Sequence, residues 1–192
     1  MKLVSSIEKL TEYTIRETNR YIQDEFRIVG KTLQEMKDSM NTADFTKLFQ
    51  YIVNEIIEKG ISDLKLSGKR EEVDGYDYII DGEKIEFKLN GGDSKSSLAT
   101  GNKTSHFGGK KSNYVWCIKY TFNNNQIDTF SMFLIDTDKT EDNVWKSSSG
   151  RKDSFSTLKL TVDEIDCVIS QIGVIKEAKK WLQFHNLPVA VI

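Results

Sequence analysis

Tyr76-Asp77-Tyr78-Ile79-Ile80-Asp81-Gly82-Glu83-Lys84-Ile85-Glu86-Phe87-Lys88-Leu89 is the stretch on which the fold of this chain turns. Two β-forming runs, 76–80 and 84–89, flank Asp81-Gly82. Both turn residues tolerate positive φ, so this dipeptide between such runs predicts a tight hairpin. A two-residue turn fixes the register, and residues whose numbers sum to 163 then lie opposite one another. Tyr76, Tyr78, Ile80, Ile85, Phe87 and Leu89 form one apolar face. On the other face Asp77 falls directly across from Glu86, with Lys88 two residues further along its strand. Facing carboxylates destabilise a ladder unless a cation lies between them.

Outward from the hairpin, periodicity places the remaining elements. Residues 3–38 carry apolar groups at helical spacing (Leu3, Ile7, Leu10, Tyr13), with Gly30 breaking or bending the run. Asn41-Thr42 caps a helix over 43–59 that Gly60 stops. Its apolar stripe is Phe45, Leu48, Phe49, Ile52 and Ile56, with Val53 beside it. After the glycine-rich exit Asn90-Gly91-Gly92, a polar segment runs to Asn113. Strands follow at 114–120 and 129–135, joined by a turn at 123–125. Residues 136–160 read as loop with a short strand near 156–160. A capping box, Thr161 to Glu164, opens a final helix lined by Ile165, Val168, Ile169, Ile172, Ile175 and Leu182. Helices, then strands, then a helix imply an α/β (α+β) fold with a mixed central sheet flanked by helices. We expect one domain over 1–192, with 1–40 a helical extension and 41–192 the core.

The chain has 192 residues, enough to build a core without disulfides or metal staples. At 38% hydrophobic and 29% charged it reads as globular. No apolar run approaches the roughly 20 residues that span a bilayer. Glu8 and Glu12 interrupt any signal-peptide core, which leads to an expected cytoplasmic location. Cys117 and Cys167 lie in apolar runs and read as buried free thiols. Net charge is only −2, but it is unevenly spread. From Ser94 to Ile127 there is no acidic residue against Lys95, Lys103, Lys110, Lys111 and Lys119. A second basic stretch, Lys146 to Lys159, contains Arg151 and Lys152. Local basic segments in a mildly acidic chain fit a surface that faces nucleic acid.

Asp/Glu-x-Lys occurs five times, starting at Glu35, Asp63, Glu86, Asp93 and Glu177. Glu35 and Glu177 lie in helical segments, where i and i+2 do not share a face. Asp63 and Asp93 follow glycines in loops. Only Glu86 sits on a strand with a carboxylate opposite. Asp77 followed by Glu86-Phe87-Lys88 resembles the PD-(D/E)xK nuclease superfamily, and more narrowly small type II restriction endonucleases. The likeness covers about residues 43–135. Gly75-Tyr76 stands where that family often has proline before its first carboxylate. Asp74 is the alternative first carboxylate, but it lies on the opposite face unless Gly75 forms a bulge.

The resemblance implies a catalytic set of Asp77, Glu86 and Lys88, with Glu55 of the preceding helix as the added acid and Glu58 as its alternative. It implies Mg²⁺, with Mn²⁺ able to substitute, held by Asp77, Glu86 and Phe87, which can offer only its backbone carbonyl. A hard cation suits carboxylates plus phosphate oxygens and lowers the pKa of a water for attack on phosphorus. Lys88 would stabilise the charge that develops. The expected activity is site-specific hydrolysis of double-stranded DNA to 5′-phosphate and 3′-hydroxyl ends. A junction resolvase, a repair nicking enzyme and a non-enzymatic DNA-binding module are the alternatives. Asn102, Lys103, Thr104, Ser105 and His106 are candidate base readers, Lys110 and Lys111 candidate phosphate contacts, and Arg151 and Lys152 a second candidate contact. Double-strand cutting needs two sites, so a homodimer is expected, with the N-terminal helical region 3–38 either forming its surface or packing on its own domain. A cognate DNA methyltransferase is implied in the cell.

Overall fold

The computed structural model describes residues 2–24, 28, 30–73, 75–91 and 112–136, and three short strand segments at 146–147, 156–157 and 174–176. Three helices, α1 (Lys2–Asp24), α2 (Leu33–Ser39) and α3 (Thr42–Asp63), precede the sheet. Its strands are β1 (Gly68–Val73), β2 (Tyr76–Ile80), β3 (Glu83–Gly91), β4 (Tyr114–Asn123) and β5 (Gln126–Asp136). Two-residue β6 (Lys146–Ser147) and β7 (Ser156–Thr157) pair with each other, and β8 (Val174–Lys176) joins the main sheet. The order across the six-stranded sheet is β1-β2-β3-β4-β5-β8. Among the described strands of this sheet only β3 and β4 run parallel to each other, so the fold is the expected mixed α+β. Among the described residues no helix is long and apolar enough to cross a membrane.

Local chemistry accounts for most boundaries. The 3–38 run is two helices, broken near Gly30 as expected. The Ile28–Lys31 turn, with Gly30 at φ +77°, ends the first approach. Thr32 then opens α2 with a full capping box to Glu35. Asn41 caps α3 by accepting from Asp44 N–H. At Asn124 and Asn125, φ of 49° and 57° gives the tight turn expected between β4 and β5.

Four expectations are corrected. Gly60 does not stop α3, which continues to Asp63. A Cβ there would lie 2.7 Å from Tyr13 Cδ1 and 2.8 Å from Leu10 Cδ1, so this glycine lets α1 approach. The buried stripe of α3 is Phe45, Phe49, Ile52, Val53, Ile57 and Ile61, while Leu48 and Ile56 are only partly buried. Strand β1 was missed, because Lys69-Arg70-Glu71-Glu72 shows no apolar alternation. Within the expected final helix, Val174–Lys176 is instead a strand on β5: after Gly173, Val174-Ile175 is β-branched and suits a pleated edge. The rest of 161–182 lies outside the described residues.

The helices pack on one face of the sheet. Ile7, Leu10, Ile15 and Ile22 of α1 and the α3 stripe meet Tyr78, Ile80, Ile85, Phe87, Trp116, Ile118 and Leu134. The predicted apolar face of the hairpin is therefore the core face, with Tyr76 half-buried at its margin. Pleat alternation sends Asp77, Glu86 and Lys88 to the other face. There Val115, Cys117, Phe133 and Ile135 are buried across β4 and β5. Since the apolar side of α1 is spent within its own chain, any contact between copies through α1 would use its outer, polar side.

Candidate active site

The hairpin has the turn and register that the sequence predicts. Asp81 and Gly82 take φ of 52° and 87°. Tyr78 pairs with Ile85, Ile79 with Lys84 and Ile80 with Glu83. The pairing ends at Tyr78–Ile85, and just beyond it the Asp77 carboxylate comes close enough to Glu86 for the two charges to interact. The Phe87 N–H donates to Asp77 Oδ2 at 2.7 Å, which fixes the Asp77 side chain against the neighbouring strand. Lys88 Nζ donates to Glu86 Oε1, so the third member of the motif is an ion-pair partner of the second. In the parallel ladder Glu86 is level with Val115 and Lys88 with Cys117, which gives the charged groups an apolar floor on one side. Asp74 lies outside the described residues.

The electrostatics follow from this placement. Burial raises the pKa of Asp77, and the Glu86 carboxylate across the ladder raises it further. The Phe87 N–H, Lys88 and Arg70 work against the shift without cancelling it. Burial pushes the Cys117 thiol up to about 12, so it is neutral and inert beside Lys88.

Oxygen donors from Asp77 and Glu86, with a backbone carbonyl between Glu86 and Lys88, form a hard donor set that suits Mg²⁺. The set is small: among the described residues no group of three or more His, Cys, Asp and Glu clusters as a metal site. Glu55 is not brought to the pair. It is 53% exposed, and its Oε1 lies 2.7 Å from Arg70 Nη1. Glu58 lies 3.5 Å from the same guanidinium. Arg70, level with Tyr78 on the helix side of β1, is the charged group that sequence reasoning missed. It was missed because its strand was.

The basic segments divide. Lys119 is a β4 residue with only 3% exposure, so it is removed from any loop surface. Asn102, Lys103, Thr104, Ser105, His106, Lys110, Lys111, Arg151 and Lys152 lie outside the described residues.

No protein-family model and no curated protein matches the chain. Among solved structures, the chain is similar to a restriction endonuclease in complex with substrate DNA. That likeness has 10% identity and a TM-score of 0.44, over 91% of this chain and 82% of that one.

Proposed function

We propose that this chain is a divalent-cation-dependent endonuclease of the type II restriction kind, cutting double-stranded DNA at the Asp77–Glu86–Lys88 face. The observation that carries the reading is that the Phe87 N–H holds the buried Asp77 carboxylate against the strand of Glu86, whose charge helps raise the Asp77 pKa. Two carboxylates brought this close are stabilised by a bound cation, and a perturbed carboxylate of this kind is a functional-site candidate.

Each residue has a role that its placement supports. Asp77 and Glu86 would hold Mg²⁺, with Phe87 supplying its carbonyl. The Phe87 N–H keeps the Asp77 carboxylate aimed across the ladder. When bound, the cation lowers the pKa of a water and neutralises charge on the phosphate. Lys88 orients Glu86 and places an ammonium where negative charge grows on the scissile phosphodiester. Cys117 and Val115 exclude water from one side. The basic segments 94–113 and 146–159 would contact phosphates and base edges, and a two-fold homodimer would supply the second site for the second strand.

Plasmid DNA incubated with the protein and Mg²⁺ tests the proposal. Discrete linear fragments that disappear in EDTA are expected. Nicking alone or junction-selective cutting would move the activity to a resolvase or repair enzyme. Absence of any cutting with Mg²⁺ or Mn²⁺ would sink the enzymatic reading.

A further inference from the structure

The hairpin is tied to the first turns of α1 through its turn residue. Ser6 Oγ donates to Asp81 Oδ2 at 2.6 Å, and Lys2 Nζ lies 2.9 Å from Asp81 Oδ1. The backbone of the same residue is held as well, with Asp81 N–H donating to Ser67 O at 2.6 Å. The Asp81 side chain is only 5% exposed. A two-residue turn asks for none of this. Asn or Gly would meet its demand for positive φ with no side-chain partner. The carboxylate is therefore engaged in something beyond the turn.

Its position says what. Asp77 lies four residues before Asp81, Glu86 four after Gly82, and both strands are continuous to the turn. Paired strands bend little over such a distance, so fixing the tip fixes the tilt of the face that carries Asp77, Glu86 and Lys88. The two contacts are unequal. Ser6 is buried, and its neutral hydroxyl donates to a charged acceptor, which makes a strong bond that salt does not screen. Lys2 is exposed, and its ion pair is weakened by salt.

We propose that Ser6, through Asp81, is a positioning residue for the Asp77/Glu86/Lys88 face, which makes the start of α1 part of the device that aligns the site. The catalytic part of this inference rests on the endonuclease reading, while the mechanical part stands by itself.

Both parts are tested with Ser6→Ala, Ser6→Thr and Asp81→Gly, each first shown to be folded by its thermal transition. The full chain is assayed on plasmid DNA with Mg²⁺, and exchange of the Phe87 amide is followed by NMR. Ser6→Ala and Asp81→Gly are expected to lower kcat about tenfold while KM for DNA stays within about twofold, because the face and not the DNA contacts is misplaced. The Phe87 amide, whose bond to Asp77 spans the two strands, is expected to exchange about tenfold faster in both. Ser6→Thr, which keeps the hydroxyl, restores both readouts. Wild-type kcat in folded Ser6→Ala and Asp81→Gly overturns the proposal. If the wild-type chain cuts no DNA, the endonuclease reading fails and Phe87 exchange decides alone. Faster exchange in both variants upholds the tie, and unchanged exchange removes it.

Discussion

At Asp77, burial and the Glu86 carboxylate both disfavour ionisation, so the folded chain keeps a proton that the unfolded chain has already released. The sign follows from the raised folded-state pKa. Asp77 costs the fold nothing below the ordinary carboxylate range of about 4, and the cost appears as pH rises through the folded value. In EDTA at pH 7, Asp77→Asn should therefore melt above wild type, because the amide still accepts from Phe87 and carries no charge. That advantage should disappear in melts near pH 3. Mg²⁺ should raise the melting temperature of wild type but not of Asp77→Asn, as expected when a cation binds only the folded state. Asp81 has the opposite sign. Burial works to raise its pKa, but Ser6 and Lys2 outweigh burial and lower it. Its contribution to stability is present above the ordinary range and is lost as pH falls through the folded value. For cleavage, Asp77→Asn and Lys88→Ala should each lose at least about 100-fold in kcat while keeping the circular dichroism spectrum and DNA binding of wild type. The hairpin register was legible in the sequence because a two-residue turn is local chemistry. The Asp81–Ser6 tie was not, since nothing in the sequence brings residues 75 positions apart together.

Among the elements, α3 shows where sequence patterns mislead. Glycine usually ends a helix, yet Gly60 lies inside this one because Tyr13 and Leu10 occupy the space a side chain would need. Gly60→Ala gains up to about 1 kcal/mol in helix propensity. It must also displace the Tyr13 ring, whose hydroxyl donates to Asp63 Oδ2 at 2.5 Å and whose face carries Arg16. Overpacking of this kind costs about 1–3 kcal/mol, so the net effect should be destabilising and visible as a lower urea midpoint. Strand β1 hid for a different reason. Its Lys-Arg-Glu-Glu centre belongs to a sheet edge, and charge there guards the unpaired backbone while erasing the alternation that marks a strand. Glu55 was expected at the site because its helix leads toward the hairpin. Its carboxylate goes to Arg70, a residue that only a known β1 could have placed.

For the molecule as a whole, α1 is the element whose removal should be least tolerated. Ile7, Leu10, Ile15 and Ile22 are essentially inaccessible and lie in one cluster with α3 and the sheet. Each buried aliphatic side chain of this size contributes about 1.5–3 kcal/mol, and four together rival the roughly 5–15 kcal/mol by which domains are stable. A chain lacking residues 1–24 should therefore show no cooperative thermal transition by calorimetry. What the sequence called a helical extension is part of the core. Its amphipathic pattern was legible, but not whether a neighbouring copy or its own sheet would cover it.

The parallel pairing of β3 with β4 has a kinetic consequence. Strands β1, β2 and β3 follow one another closely in the chain and can zip as a local meander, whereas Glu86 must meet Val115, 29 positions later in the chain. That loop closure must be made before its contacts repay it, and such steps are slow. In refolding followed by pulsed hydrogen exchange, the Phe87 amide should gain protection before the amides of Trp116 and Ile118. The carboxylates would then face each other early, in a hairpin still open to water, and the floor beneath Lys88 would be laid last.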